Sequence, residues 1–124
     1  MIEEIHGPLA SICSAVDGAI AASVMGFDGL PVQDYEHAVG DDDPDISSLL
    51  VEFSTLLGQV KASGQMFAAG DLQELSIRSE SVTTLIRPIN AEYFMALALR
   101  PAANAGKGRY LLRVHAPKLA DFLS

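Results

Sequence analysis

Few residues in this chain could do chemistry. Cys13 is the only cysteine. Paired with a histidine such as His115, it could serve as a nucleophile if the imidazole drew off the thiol proton. Nothing beyond residue type places those two together. His6, His37 and His115 are far apart and form no ligand-spaced cluster. The run Asp41-Asp42-Asp43 could supply paired carboxylates, but adjacent acids on a loop are usually just solvated. A calcium loop needs carboxylates at alternating positions and a later Glu, and that spacing is absent. Gly106-Lys107-Gly108 has the look of a phosphate loop. However, Arg109 stands where the loop needs Ser or Thr, and no strand leads into it. These residue types predict no catalytic residue, no metal site and no cofactor.

Composition narrows the partners. The chain has 124 residues, a hydrophobic fraction of 49% and a mean hydropathy of +0.26. That is enough apolar material for one domain, 1–124, to build a core, with an excess that a partner could cover. The net charge is −8. The first 60 residues hold eleven acids and no Lys or Arg; the rest hold five acids and all eight bases. An acidic half argues against nucleic acid and anionic membrane, which need clustered cations, and suits a basic protein partner. It is equally the ordinary way to solvate a surface. No apolar run is long enough for membrane insertion. One cysteine and no basic stretch ahead of an apolar one predict a cytoplasmic protein without a signal peptide.

The elements that must position these residues can be read from periodicity. Ile2, Ile5, Leu9, Ile12, Cys13 and Val16 recur at helical steps, with Pro8 expected to break or restart the helix. Residues 19–26 read as a buried strand and 31–36 as its hairpin partner on a sheet edge, because Pro31 cannot sit in a central strand. Asp43 is expected as the N-cap of the next helix, with Pro44 at its first position and Asp45 in its first turn. That helix carries Ile46, Leu49, Leu50, Phe53, Leu56, Leu57, Val60 and Phe67, and Gly70 should close it. Gly58 and Gly64 inside it suggest that another backbone packs close, or else a kink. Strands follow at Leu72–Ser79, Val82–Ile89 and Glu92–Arg100. In the last, Tyr93, Met95, Leu97 and Leu99 face one way and Phe94, Ala96 and Ala98 the other, so it is central and covered on both sides. A final helix over 104–123, capped by Asn104 and kinked by Pro117, places Tyr110, Leu111, Val114, Leu119, Phe122 and Leu123 on its apolar side. The compact solution is α+β, an α/β sandwich: a five-stranded antiparallel sheet with helices on both faces.

The order α-β-β-α-β-β-β-α, the Asp-Gly hairpin after the first helix, and the closing stretch Gly108-Arg109-Tyr110-Leu111-Leu112-Arg113 together resemble the roadblock/LC7 family. Within it, the chain is most similar to the bacterial MglB/MglC-like branch, and to its MglC-like members above all. The resemblance implies a non-enzymatic homodimer in a gliding-motility and cell-polarity system run by a Ras-like, MglA-type GTPase. The implied partner is an MglB-like roadblock protein. The alternative is an MglB-like role, binding the GTPase directly and stimulating GTP hydrolysis. It also implies recruitment to cell poles by partners, and dimerisation through residues 45–70 and 72–79. Leu50, Phe53, Leu57, Gly58, Leu72, Leu75 and Ile77 are the interface residues so implied.

The Asp-Gly turn raises a question of its own, because Phe27 and Leu30 flank what should be a polar tip. MglC-like proteins carry a surface Phe-Asp-x-Ile here that binds a partner. This chain has Phe27-Asp28-Gly29-Leu30, with Leu for Ile, so Phe27, Asp28 and Leu30 are the implied binding residues. The other reading of the same residues folds Phe27 back onto a helix and lets Leu30 begin the next strand's core face.

Overall fold

The computed structural model describes residues 2–123. The expected place of Ile2 on the first helix's apolar stripe lies outside the described side chains. The elements are α1 (Ile2–Ala15), β1 (Ala19–Gly26), β2 (Pro31–Glu36), α2 (Ile46–Met66), β3 (Leu75–Arg78), β4 (Thr83–Pro88), β5 (Tyr93–Leu99) and α3 (Ala105–Ala120). The strands form one antiparallel sheet in the order β2-β1-β5-β4-β3. β5, apolar on both faces, lies in the middle, and β2, led by Pro31, lies at an edge.

Strand alternation sorts the core into two layers. On one face, Ala22 and Val24 of β1, Leu85 of β4 and Met95, Leu97 and Leu99 of β5 pack against Ile5, Leu9, Ile12 and Cys13 of α1 and Leu112, Ala116 and Leu119 of α3. On the other, Met25, Ile86, Phe94 and Ala96 meet Leu50 and Leu57 of α2. Each such buried Leu or Ile contributes on the order of 1.5–3 kcal/mol. α3 comes close to the sheet because position 108 lacks a side chain. A Cβ on Gly108 would lie 2.8 Å from Leu85 Cδ1 and 3.1 Å from Leu97 Cδ2. The Gly-Lys-Gly stretch is therefore a packing contact in the first turn of a helix capped, as expected, by Asn104, whose side chain accepts from the Lys107 N–H.

Several local expectations are corrected. α1 runs unbroken through Pro8, so the loss of one N–H donor is outweighed by the packing of the helix's buried face. Asp45, not Asp43, caps α2: its carboxylate accepts from the Ser48 N–H at 3.2 Å and from the Ser48 hydroxyl at 2.8 Å. These Ser48 hydrogen bonds also hold the Asp45 carboxyl below its ordinary pKa. Asp43 is taken up by Arg100, whose guanidinium grips both its oxygens at 2.8 and 2.9 Å and donates to the Ala38 carbonyl at 2.8 Å. The acidic loop is thereby tied to the end of β5. α2 ends at Phe67 rather than at Gly70, with Ala68 in the left-handed region at φ 61°. Gly64 has its own explanation within the chain, because a Cβ there would press on the Gly70 carbonyl at 2.8 Å where the backbone turns back. β3 is shorter than expected, and Leu72 and Gln73 lie in the loop before it. Tyr110 and Phe122, assigned to the apolar side of the last helix, point outward instead.

Candidate functional site

The β1–β2 turn is built to hold one shape. The Gly26 N–H donates to the Leu30 carbonyl (2.9 Å) and the Gly29 N–H to the Gly26 carbonyl (3.0 Å). The Leu30 N–H donates to Asp28 Oδ1 (3.0 Å), an Asx-type closure. Gly29 sits at φ +87°, where an L side chain is strained, and a Cβ there would also meet Ser54 Oγ of α2 at 3.2 Å. The turn is thus seated on the helix. From it Leu30 projects into solvent, 67% exposed.

Phe27 takes the fold-back course. Its N–H donates to the Glu92 carbonyl at 2.9 Å. Its ring is half-buried, 5.3 Å from the Phe94 ring and tilted by 55°. The Lys61 ammonium stands 3.9 Å from the ring centre and donates to the Ala91 carbonyl at 2.7 Å. Phe27 therefore clamps the hairpin between β5 and α2, leaving Leu30 as the apolar group that reaches outward and Asp28 as the exposed acid beside it.

A second surface lies along α2. Leu49, Phe53, Leu56, Val60 and Phe67 recur at steps of four, three, four and seven residues, an apolar seam of the kind helices use to pair. Leu56 and Phe67 are exposed, and Leu49, Phe53 and Val60 are half-buried. This flank is turned toward β3, since Phe53 packs in one cluster with Leu72, Leu75 and Ile77, while Val51 and Ser54 on the other flank face the hairpin. Of the implied interface residues, Leu50 and Leu57 are fully buried within the chain's own core and have no surface to give a second copy. Phe53, Leu72, Leu75 and Ile77 stay half-exposed, and Gly58 opens onto solvent with no atom within 4 Å of where its Cβ would be. β3 ends the sheet, so its outer edge is unpaired among the described residues.

Cys13 is buried among Ile12, Leu9 and Val16, and burial pushes its thiol up to about 11. Such a group stays protonated at neutral pH and is a poor nucleophile. His115 is half-buried, and burial, followed by the charge of Lys118, lowers its pKa. His6 meets Tyr35 edge-on at 5.1 Å and His37 stacks on its ring at 6.2 Å between ring centres. Among the described residues no group of three His, Cys, Asp or Glu is placed to hold a metal, and no helix is long and apolar enough to cross a membrane. A groove of about 400 Å³, with Lys61, Arg87, Asp71 and Asn90 in its lining, had no sequence signal. Its residues come from four separate parts of the chain.

Neither a family model nor a curated protein matches the chain. Solved structures do. MglC from Myxococcus xanthus is 38% identical, with 96% of this chain and 98% of that one covered and a TM-score of 0.69. A roadblock/LC7 domain from Streptomyces avermitilis is 18% identical over 94% of this chain and 95% of that one, with a TM-score of 0.78. The gliding protein MglB from Thermus thermophilus is 16% identical over 97% and 88%, with a TM-score of 0.84. Those last two share the fold; the first carries the sequence as well. The five-stranded sheet with α2 on one face and α1 and α3 on the other is the roadblock/LC7 fold, and this chain, similar to MglC along nearly its whole length, belongs to the roadblock/LC7 family.

Proposed function

We propose that this protein is a non-enzymatic adaptor in a bacterial gliding-motility and polarity system governed by an MglA-type GTPase. It acts as a homodimer that binds an MglB-like roadblock protein through the β1–β2 turn. The observation that carries this reading is Leu30, an exposed Leu on a turn fixed by Asp28 and by its seat on α2. A rigid apolar anchor beside an acid loses little entropy on binding, and the acid sets the register. The likeness to MglC supports the same assignment.

Dimerisation runs through the outer flank of α2 and the free edge of β3. Phe53, Leu56, Val60 and Phe67 would meet their counterparts, and Leu72, Leu75 and Ile77 would flank them; Gly58, one turn on from Ser54, lies on the hairpin flank of α2 and takes no part in this seam. Residues 45–70 and 72–79 thus keep the role the family resemblance gives them, with Leu50 and Leu57 as the internal support of the helix. The protein is cytoplasmic in this reading, and partners bring it to the poles.

A second reading has the protein bind the GTPase directly and stimulate hydrolysis, as an MglB-like protein would. The close superposition on MglB structures favours it, at 16% identity. Mixing the purified protein with an MglB-like and an MglA-like protein separates the two. Complex formation with the former alone, reduced about ten-fold or more by Leu30→Ala, supports the adaptor. A faster GTPase rate with the latter supports the alternative.

A further inference from the structure

The sheet has a second free edge, and its chemistry differs from that of β3. Among the described residues nothing pairs with the outer side of β2. The His37 N–H points inward to the Ile20 carbonyl, so alternation turns the N–H and C=O of Tyr35 and Gln33 toward β1 and those of Asp34 and Glu36 outward. The outward carbonyl of Asp34 is met only by the chain's own Gln33 Nε2, at 3.2 Å on the surface. The side chains of Asp34 and Glu36 lie on the α2 side of the sheet, beside a groove of about 230 Å³ floored by Ala21 and Ser23. Asp34 accepts from Ser23 Oγ at 2.6 Å, and Glu36 has no hydrogen-bond or ion-pair partner among the described residues. No Lys or Arg lies within the first 60 residues, and Arg100, which reaches this end of the molecule, is spent on Asp43. Exposed Val32 and Val39 add apolar surface at either end.

We propose that the β2 edge is a strand-addition site for an extended segment of a partner protein that carries Lys or Arg at alternate positions. The backbone of Asp34 and Glu36 supplies the hydrogen bonds, and their carboxylates select the partner by charge. The same carboxylates forbid self-association, because two copies paired edge to edge would set like charges opposite one another. An acidic edge guarded against every strand would need no adjoining groove and no uncompensated Glu36 beside it. The site is separate from the turn at Leu30 and does not depend on which roadblock protein binds there.

The test is amide exchange by NMR on the full chain at pH 8, with a short synthetic peptide alternating Lys and Val and a control alternating Glu and Val. The Lys peptide should slow exchange at the Asp34 and Glu36 amides, and the Glu peptide should not. Glu36→Lys should weaken the Lys peptide about five-fold or more, while Leu30→Ala leaves it unchanged. The neutral variant Asp34→Asn with Glu36→Gln, which keeps an acceptor for Ser23, should run larger than the parent in light scattering. Binding of both peptides alike, of neither, or of the Lys peptide without protection of those amides overturns the proposal. An unchanged size of the neutral variant overturns its self-exclusion half.

Discussion

The Lys61 ammonium lies 3.9 Å from the centre of the Phe27 ring and ties the C-terminal part of α2 to the hairpin. It also donates to the Ala91 carbonyl, so one cation holds the ring, the helix and the β4–β5 turn in register. The hairpin's shape thus depends on residues from three distant parts of the chain, and the two apolar residues of the turn have different tasks.

Phe27→Ala should lower stability by about 2 kcal/mol, since the ring is half-buried against Phe94 and truncating a fully buried Phe costs more than that. Leu30→Ala should change stability by less than about 0.5 kcal/mol, as exposed substitutions do. Urea unfolding of both variants checks the contrast. Equal losses would mean that Leu30 is packed.

Asp28→Ala removes the acceptor that closes the turn on Leu30 and should cost about 1 kcal/mol. Asp28→Asn keeps a side-chain oxygen in the same place and should restore most of that stability. Any loss of partner binding that persists in Asp28→Asn then reports the charge alone.

The Arg100–Asp43 clasp gives a pH dependence of known sign. Arg100's hydrogen bonds, helped by the Gly40 N–H, hold the Asp43 carboxyl below its ordinary value. A carboxylate depressed in the folded state binds fewer protons there than in the unfolded chain. Its stabilisation is therefore complete above about pH 4, the unfolded value, and is lost as pH falls through the lower folded value. Urea midpoints measured downward from pH 5 should fall more steeply for the parent than for Asp43→Asn. Parallel curves would show that the clasp contributes nothing.

Cys13 should react with a disulfide reagent slowly in the native protein and at the rate of a free thiol in urea, because burial both shields it and keeps it protonated. A native rate matching the denatured one would reopen nucleophilic chemistry at this residue.

Charge placed on α2 should separate its two flanks. Leu56→Glu, on the seam toward β3, should leave the protein monomeric in light scattering, and Val51→Glu, on the flank toward the hairpin, should not.

Periodicity carried most of the fold. The alternation Met95, Leu97, Leu99 against Phe94, Ala96, Ala98 marked a strand covered on both faces, and β5 is that strand. Pro31 marked an edge, and Asn104 a helix start, because each acts within a few residues of itself. What sequence could not show depends on partners far along the chain. Asp43 was a sound N-cap until Arg100, 57 residues away, took its carboxylate. For Phe27 the residues left an outward and an inward course open, because Phe94 and Lys61, which hold it inward, reach it only in three dimensions. Leu50 and Leu57 share a helical stripe with Phe53, and only the sheet beneath decides which of them is buried and which stays half-exposed.

Size-exclusion chromatography with light scattering, on the protein alone and mixed with an MglB-like protein, decides whether Leu30 anchors such a partner. The expected result is a dimer that moves to a larger complex with the MglB-like protein, and a Leu30→Ala dimer of unchanged stability that does not. A monomer, or a Leu30→Ala variant that still forms the complex, would contradict it.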